Sequence, residues 1–225
     1  MSTLDPYNVK AIEYIACLVS VGLFAAFWAF VNGGLPAPEP VHAWVGHLAE
    51  WFRVPDTVFF HPGHAWAKAQ GSGRALVGMD DFAQRLVGPA AAIALPAKGS
   101  VVTAGAPAWS ITADAKTVDM LAPVSGRVVA VNEAVRNNPH LVSEDPYGRG
   151  WLFAVEAPRL RDTLRDLLSG ARARRWMADT AEALDASFTP ELGHLCQDGG
   201  VPVNGFARAI DAEHWEQVAR RFLLS

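Results

Sequence analysis

The chain is poor in the features that mark several common protein classes. It has two cysteines in 225 residues, Cys17 in an apolar run and Cys196 near the other end. So few, so far apart, exclude a disulfide framework and a cysteine-based zinc site. A basic surplus is also missing. The net charge is −4, which gives no basic face for nucleic acid. No P-loop, dinucleotide fingerprint or nucleophile elbow occurs, and there is no internal repeat or low-complexity tract. What is abundant is apolar surface. Hydrophobic residues make up 51% of the chain and charged residues 19%, enough for a well-filled core.

Much of that surface is concentrated at the N-terminus. "YIACLVSVGLFAAFWAFV", Tyr14 to Val31, carries no charge. Extended back to Ala11, it reaches the ~20 residues that cross a bilayer. Residues 11–31 are therefore expected to form a single transmembrane helix after a tail at 1–10, with Glu13 at the headgroup edge. A buried core helix is the alternative. A cleavable signal peptide fits less well, because the tail is not strongly basic and the apolar stretch is long for one. Cys17 is no lipoprotein box, because the apolar segment follows the cysteine. Lys10 is the only basic side chain before the helix, and the next is Arg53. Positive residues favour the cytoplasm. That places the body outside it, anchored to a bacterial-type inner membrane by a single pass.

Beyond the anchor, "NGGLPAPEP" at 32–40 reads as a linker. Residues 41–53 place Val41, Trp44, Val45, Leu48, Trp51 and Phe52 on one helical face, suited to a membrane surface or to packing on a neighbouring domain. From 58 to 157 short apolar runs alternate with turn residues: "RALVGM", "AAIALP", "SVVTAG", "PAWSIT", "VDMLAP", "GRVVAV", "GWLFAV". This predicts a mainly β sandwich or barrel, interrupted by helices at "DDFAQRLVG" and "NEAVRNNP". From 158 to 225 the pattern turns helical. A first helix carries Leu160, Leu164, Leu167 and Leu168 and is expected to end at Gly170. A second is expected over 172–186. A third is expected to be N-capped by Asp211 and to bury Trp215, Val218, Ala219 and Phe222.

Several ordered motifs within the β segment carry a resemblance. They are "GHAW" (Gly63–Trp66), "VGMDDFAQRLVG" (Val77–Gly88), "LPAKGSVVTAG" (Leu95–Gly105) and "APVSGRVVAVNEAVRNNPHLVSEDPYGRGWL" (Ala122–Leu152). Together they resemble the glycine cleavage system H protein family over about 100 residues. The resemblance implies a lipoyl-type flattened β-sandwich, a barrel-sandwich hybrid, here with the N-terminal transmembrane helix and C-terminal α-helices added. It also implies a carrier, not a catalyst: family members hold lipoate on a lysine at a hairpin tip. That lysine lies eight positions before the proline of Pro-Val-Ser-Gly, which here is Pro123, so the family position falls on Ala115. Thr112, Ala113 and Asp114 replace the family's Glu-Ser-Val, while Ser110 and Asp119 remain alignable. Ala65 replaces the glutamate of His-Glu-Trp.

Lys116 is the nearby lysine, one residue late. Successive strand residues point to opposite faces, so that offset moves the amine, unless a register slip restores it. The leading expectation is a non-catalytic membrane subunit without lipoate. Its β-sandwich would be an interaction module for other subunits of a membrane complex, respiratory or redox in type. The alternative is a lipoyl carrier modified at Lys116 that serves a membrane-associated redox or one-carbon enzyme.

The remaining candidates read as structural. His61 and His64 are separated by Pro62-Gly63, so no helix presents them to a metal. His194 and Cys196 lack further ligands, and His42 and His47 face different ways. Glu144 and Asp145 belong to the "EDPYG" turn. "ARARRW" (Ala171–Trp176) is a basic cluster, read as a solvated helix face or as a contact for headgroups or an acidic partner. No catalytic or metal-binding residue is assigned.

Overall fold

The structure, a computed structural model, describes residues 6–31, 51–71, 73–187 and 204–224. The expected linker at 32–40, most of the helix expected at 41–53, and His42, His47, His194 and Cys196 lie outside the described residues. The chain divides into two compact units, 1–44 and 45–225.

The first unit holds helix α1, Pro6–Val31. The side chains described in it are residues 14–24, 27 and 28. Among the described residues no helix is long and apolar enough to cross a membrane. Those of α1 nevertheless lie bare. Tyr14, Leu18, Leu23, Phe24 and Phe27 are each more than 60% exposed, and Ser20 turns its hydroxyl inward to the carbonyl of Ala16.

The second unit is built on two antiparallel sheets. The larger contains β1 (Phe59–Phe60), β2 (Ala65–Ala69), β3 (Arg74–Met79), β9 (Phe153–Glu156), β8 (Gly126–Val131) and β5 (Val101–Val102), in that spatial order. The smaller contains β4 (Ala92–Ala94), β6 (Pro107–Ala113) and β7 (Lys116–Leu121). Trp109 of β6 meets Phe153 of β9 edge to face at 5.5 Å, so the inner faces of the two sheets share one core. In β6 the alternation buries Trp109, Ile111 and Ala113, and in β7 it buries Val118 and Met120, as period-2 side chains require.

The quoted motifs are mostly packing and turn devices. Trp66 is fully buried opposite Gly78. A Cβ on Gly78 would stand 2.4 Å from the indole, so only glycine admits the ring. The indole N–H donates to the carbonyls of Met79 and Pro146, which ties "GHAW" to "EDPYG". Within that last turn a Cβ on Gly148 would meet Asp145 at 2.3 Å, and the Asp145 carboxylate accepts from the Arg149 N–H. Glu144 and Asp145 hold a turn, as expected.

The two short helices fall where the sequence places them. α2 is Asp81–Val87, capped by the Asp80 carboxylate on the Ala83 N–H. α3 is Glu133–Asn137, capped by Asn132 on the Ala134 N–H. A further short helix, α4, is Leu141–Glu144.

Two expectations about the C-terminal helices need correction. α5 spans Leu160–Asp166 and stops before Gly170. Leu168 leaves the helix to exchange backbone hydrogen bonds with Phe60 at 2.7 and 2.8 Å, which adds it to the sheet edge. Gly170, at φ +54°, instead opens α6, Gly170–Asp185. After α7, Phe206–Ile210, the last helix α8 is Trp215–Leu223. Asp211 does accept backbone N–H bonds, from Glu213 and His214, but these close the turn before α8 and do not cap its first residue.

Candidate functional site

The hairpin β6–β7 is the place to look. Ala113 pairs with Lys116, so the loop is two residues, Asp114 and Ala115. Both have positive φ, +46° and +60°, as the tight primed hairpin turn requires. Asparagine or aspartate tolerates that conformation. Alanine does so at a cost of roughly 1–2 kcal/mol. Ala115, the position to which the resemblance points, therefore stands at the tip, exposed and without an amine.

Lys116 is already in strand. It shares the inward face with Val118 and Met120 and is about one-third exposed, at 34%. Its Nζ bonds to the Glu216 carboxylate at 2.6 Å and donates to the Glu213 carbonyl. The hydrogen bond from Lys116 is the main reason that the Glu216 carboxyl is held below its ordinary range. An amide on Nζ would remove the charge on which this ion pair depends.

The C-terminal segment clamps the rest of the hairpin as well. Arg208 pairs with Asp114 at the tip. It also donates to the Val87 carbonyl and lies 4.9 Å over the Trp215 ring. Arg220 donates to the Thr117 carbonyl, covering the free edge of β7. Trp215 is buried beneath this arrangement. Sequence reasoning located Asp114, Ala115 and Lys116 but missed Arg208, Glu213, Glu216 and Arg220. Lys116 and Glu216 lie 100 residues apart, and no local spacing joins them.

At the tip Ala115 offers no side-chain nitrogen to acylate, and the Lys116 amine is engaged by Glu213 and Glu216. Among the described residues no group of three or more His, Cys, Asp or Glu side chains could hold a metal ion. His61 accepts the Gly63 N–H on Nδ1, and burial lowers its pKa. Tyr147 donates to the Arg53 carbonyl at 2.6 Å and accepts the Asp81 N–H. Burial, chiefly, raises its pKa.

A family model described as glycine cleavage H-protein matches residues 58–180, more than half of the chain. The chain belongs to that family. Among its relatives is the glycine cleavage system H protein of Xanthomonas campestris pv. campestris (strain B100). It is 38% identical over 117 residues, which cover 52% of this chain and 88% of the relative. The corresponding protein of Xanthomonas axonopodis pv. citri (strain 306) is 38% identical over 116 residues, with the same coverage. Among solved structures, the glycine cleavage system H protein from Mycobacterium marinum covers 56% of this chain and 98% of its own, at 28% identity and a TM-score of 0.49. The H-protein match thus takes in the sandwich, α5 and most of α6. It stops before α7 and α8, the two helices that close over the hairpin.

Proposed function

We propose that this H-protein family member is a non-catalytic, membrane-anchored subunit that carries no lipoate and serves as an interaction module of a larger membrane complex. The hairpin is what chiefly supports this reading. The tip residue is Ala115, and the neighbouring amine of Lys116 is held by Glu216 and Glu213 of a C-terminal segment beyond the family match. A carrier needs its lysine free at an exposed turn, and here the turn is clamped.

The anchor rests on α1. Its apolar run, Tyr14 to Val31, is about 27 Å long at 1.5 Å per residue, close to a hydrocarbon core of about 30 Å. The run from Tyr14 to Val31 is uncharged. The bare apolar side chains described in it, such as Leu18, Leu23, Phe24 and Phe27, need a cover, and lipid supplies one. Lys10, in α1 on the N-terminal side of that run, favours a body outside the cytoplasm. Partners are then the bilayer and other subunits of the complex, with no nucleic acid.

A second reading, a lipoyl carrier modified at Lys116, draws on the relatives' being glycine cleavage system H proteins and on this lysine's place beside the tip. It requires α8 to let go of the amine and modification to precede export.

Extraction of the natively produced protein in mild detergent tests the interaction role. Co-purifying subunits in fixed ratio are expected. A chain that runs alone at every detergent-to-protein ratio would remove the case for a complex.

A further inference from the structure

A cavity of about 310 Å³ opens between α6, α8 and the loop before β2. It is independent of the hairpin. Trp176, Asp179 and Thr180 line it from α6, Arg221 and Phe222 from α8, and His64 from the loop. That volume is at the small end of ligand pockets, which run from about 300 to 1,000 Å³.

Its lining carries both signs of charge. Asp179 and Arg221 are opposite in sign and line one cavity, yet among the described residues they pair neither with each other nor with another side chain.

The floor is rigid. The His64 ring stacks on Phe82 at 4.2 Å and lies 4.7 Å from Trp176. Its Nδ1 is 2.8 Å from the buried Asp80 carboxylate. That carboxylate accepts the proton of Nδ1 and fixes the ring. Nε2 has no partner among the described residues. The Thr180 hydroxyl is committed to the Trp176 carbonyl at 2.9 Å.

We infer that this cavity binds a small zwitterion with an apolar or aromatic body, of the α-amino acid class. A carboxylate alone would meet Arg221 but leave Asp179 facing an anion. An amine alone would leave Arg221 facing a cation. A molecule that carries both groups satisfies both walls through charge-assisted hydrogen bonds. Its body then lies against Trp176 and Phe222, aromatic surface that a purely polar ligand would not use.

Calorimetric titration of the full chain in mild detergent with L-phenylalanine tests this, with 2-phenylethylamine and 3-phenylpropanoate as singly charged analogues. Saturable one-to-one binding of L-phenylalanine is expected, with a Kd on the order of 1 mM or tighter. Each analogue should bind at least about tenfold more weakly. Asp179→Asn and Arg221→Gln alter exposed side chains, so thermal unfolding should not change while each weakens L-phenylalanine binding about tenfold. Absence of saturation up to about 20 mM would overturn the assignment. So would equal binding of 3-phenylpropanoate, which would mean a simple anion site, or binding indifferent to both substitutions.

Discussion

Replacing Trp215 with alanine should cost about 3–5 kcal/mol, a fall in melting temperature of about 6–20 °C for a body of this size. The side chain is 2% exposed and lies beneath the Arg208 guanidinium. Its loss leaves a large void and removes the platform from which α7 and α8 reach the hairpin. Three hairpin links depend on that platform: Arg208 to Asp114, Glu216 to Lys116, and Arg220 to Thr117. Acylation of Lys116 by an amine-reactive ester, followed by peptide mapping, should be slow in the parent and fast in Trp215→Ala. Leu224→Ala, at a residue 40% exposed, is the control and should change neither melting nor acylation. A Trp215→Ala protein with unchanged melting and unchanged acylation would show that the segment does not hold the hairpin. The ion pair adds a pH dependence of definite sign. Because Lys116 lowers the Glu216 carboxyl from its ordinary value of 4.5, the pair's contribution is fully present above that value. It is lost as pH falls through the lowered folded value.

Deletion of residues 1–31 should move the protein from the membrane fraction to the soluble fraction almost completely. The free-energy difference is large in principle, since each buried Leu, Phe or Val side chain contributes about 1.5–3 kcal/mol and α1 contains many. The second unit has its own sandwich core, with Trp109, Ile111, Val118 and Phe153 buried in it. It should therefore remain folded, with the melting temperature of the parent. Sedimentation after carbonate washing, combined with a thermal melt, checks both points. A deleted protein that still pelleted with carbonate-washed membranes would move the anchor elsewhere.

The sandwich was legible because its information is local. Apolar alternation and turn residues placed "RALVGM" and "GRVVAV" on the strands that form over those same residues. The helices expected at "DDFAQRLVG" and "NEAVRNNP" form there as α2 and α3, with Asp80 and Asn132 as their N-caps. The offset of Lys116 from the tip was likewise a matter of counting residues to Pro123, and the pairing of Ala113 with Lys116 gives it a backbone meaning. What escaped was long-range. Gly170 reads as a helix stop unless one knows that Leu168 has been drawn out to pair with Phe60. Arg208, Glu216 and Arg220 look like solvated charges on short helices. Their role follows only from the docking of that segment against β7, which no periodicity encodes. The same holds for Asp179 and Arg221, which become neighbours of one cavity only in the fold.

Clamping by α7 and α8 also changes what a register slip could accomplish. To bring Lys116 to the tip, the hairpin would have to break its Ala113 pairing and part with both Glu216 and Glu213. It would also turn the Val118 and Met120 side chains away from the core. Those residues are fully buried, and exposing them costs far more than one ion pair returns.

The chemical state of Lys116 separates an interaction module from a carrier. Intact-mass measurement of the natively produced protein should return the mass of the unmodified chain, with Lys116 recovered as free lysine in the hairpin peptide. A mass increment matching a lipoyl amide, mapped to Lys116, would contradict the interaction-module reading and make the protein a working carrier.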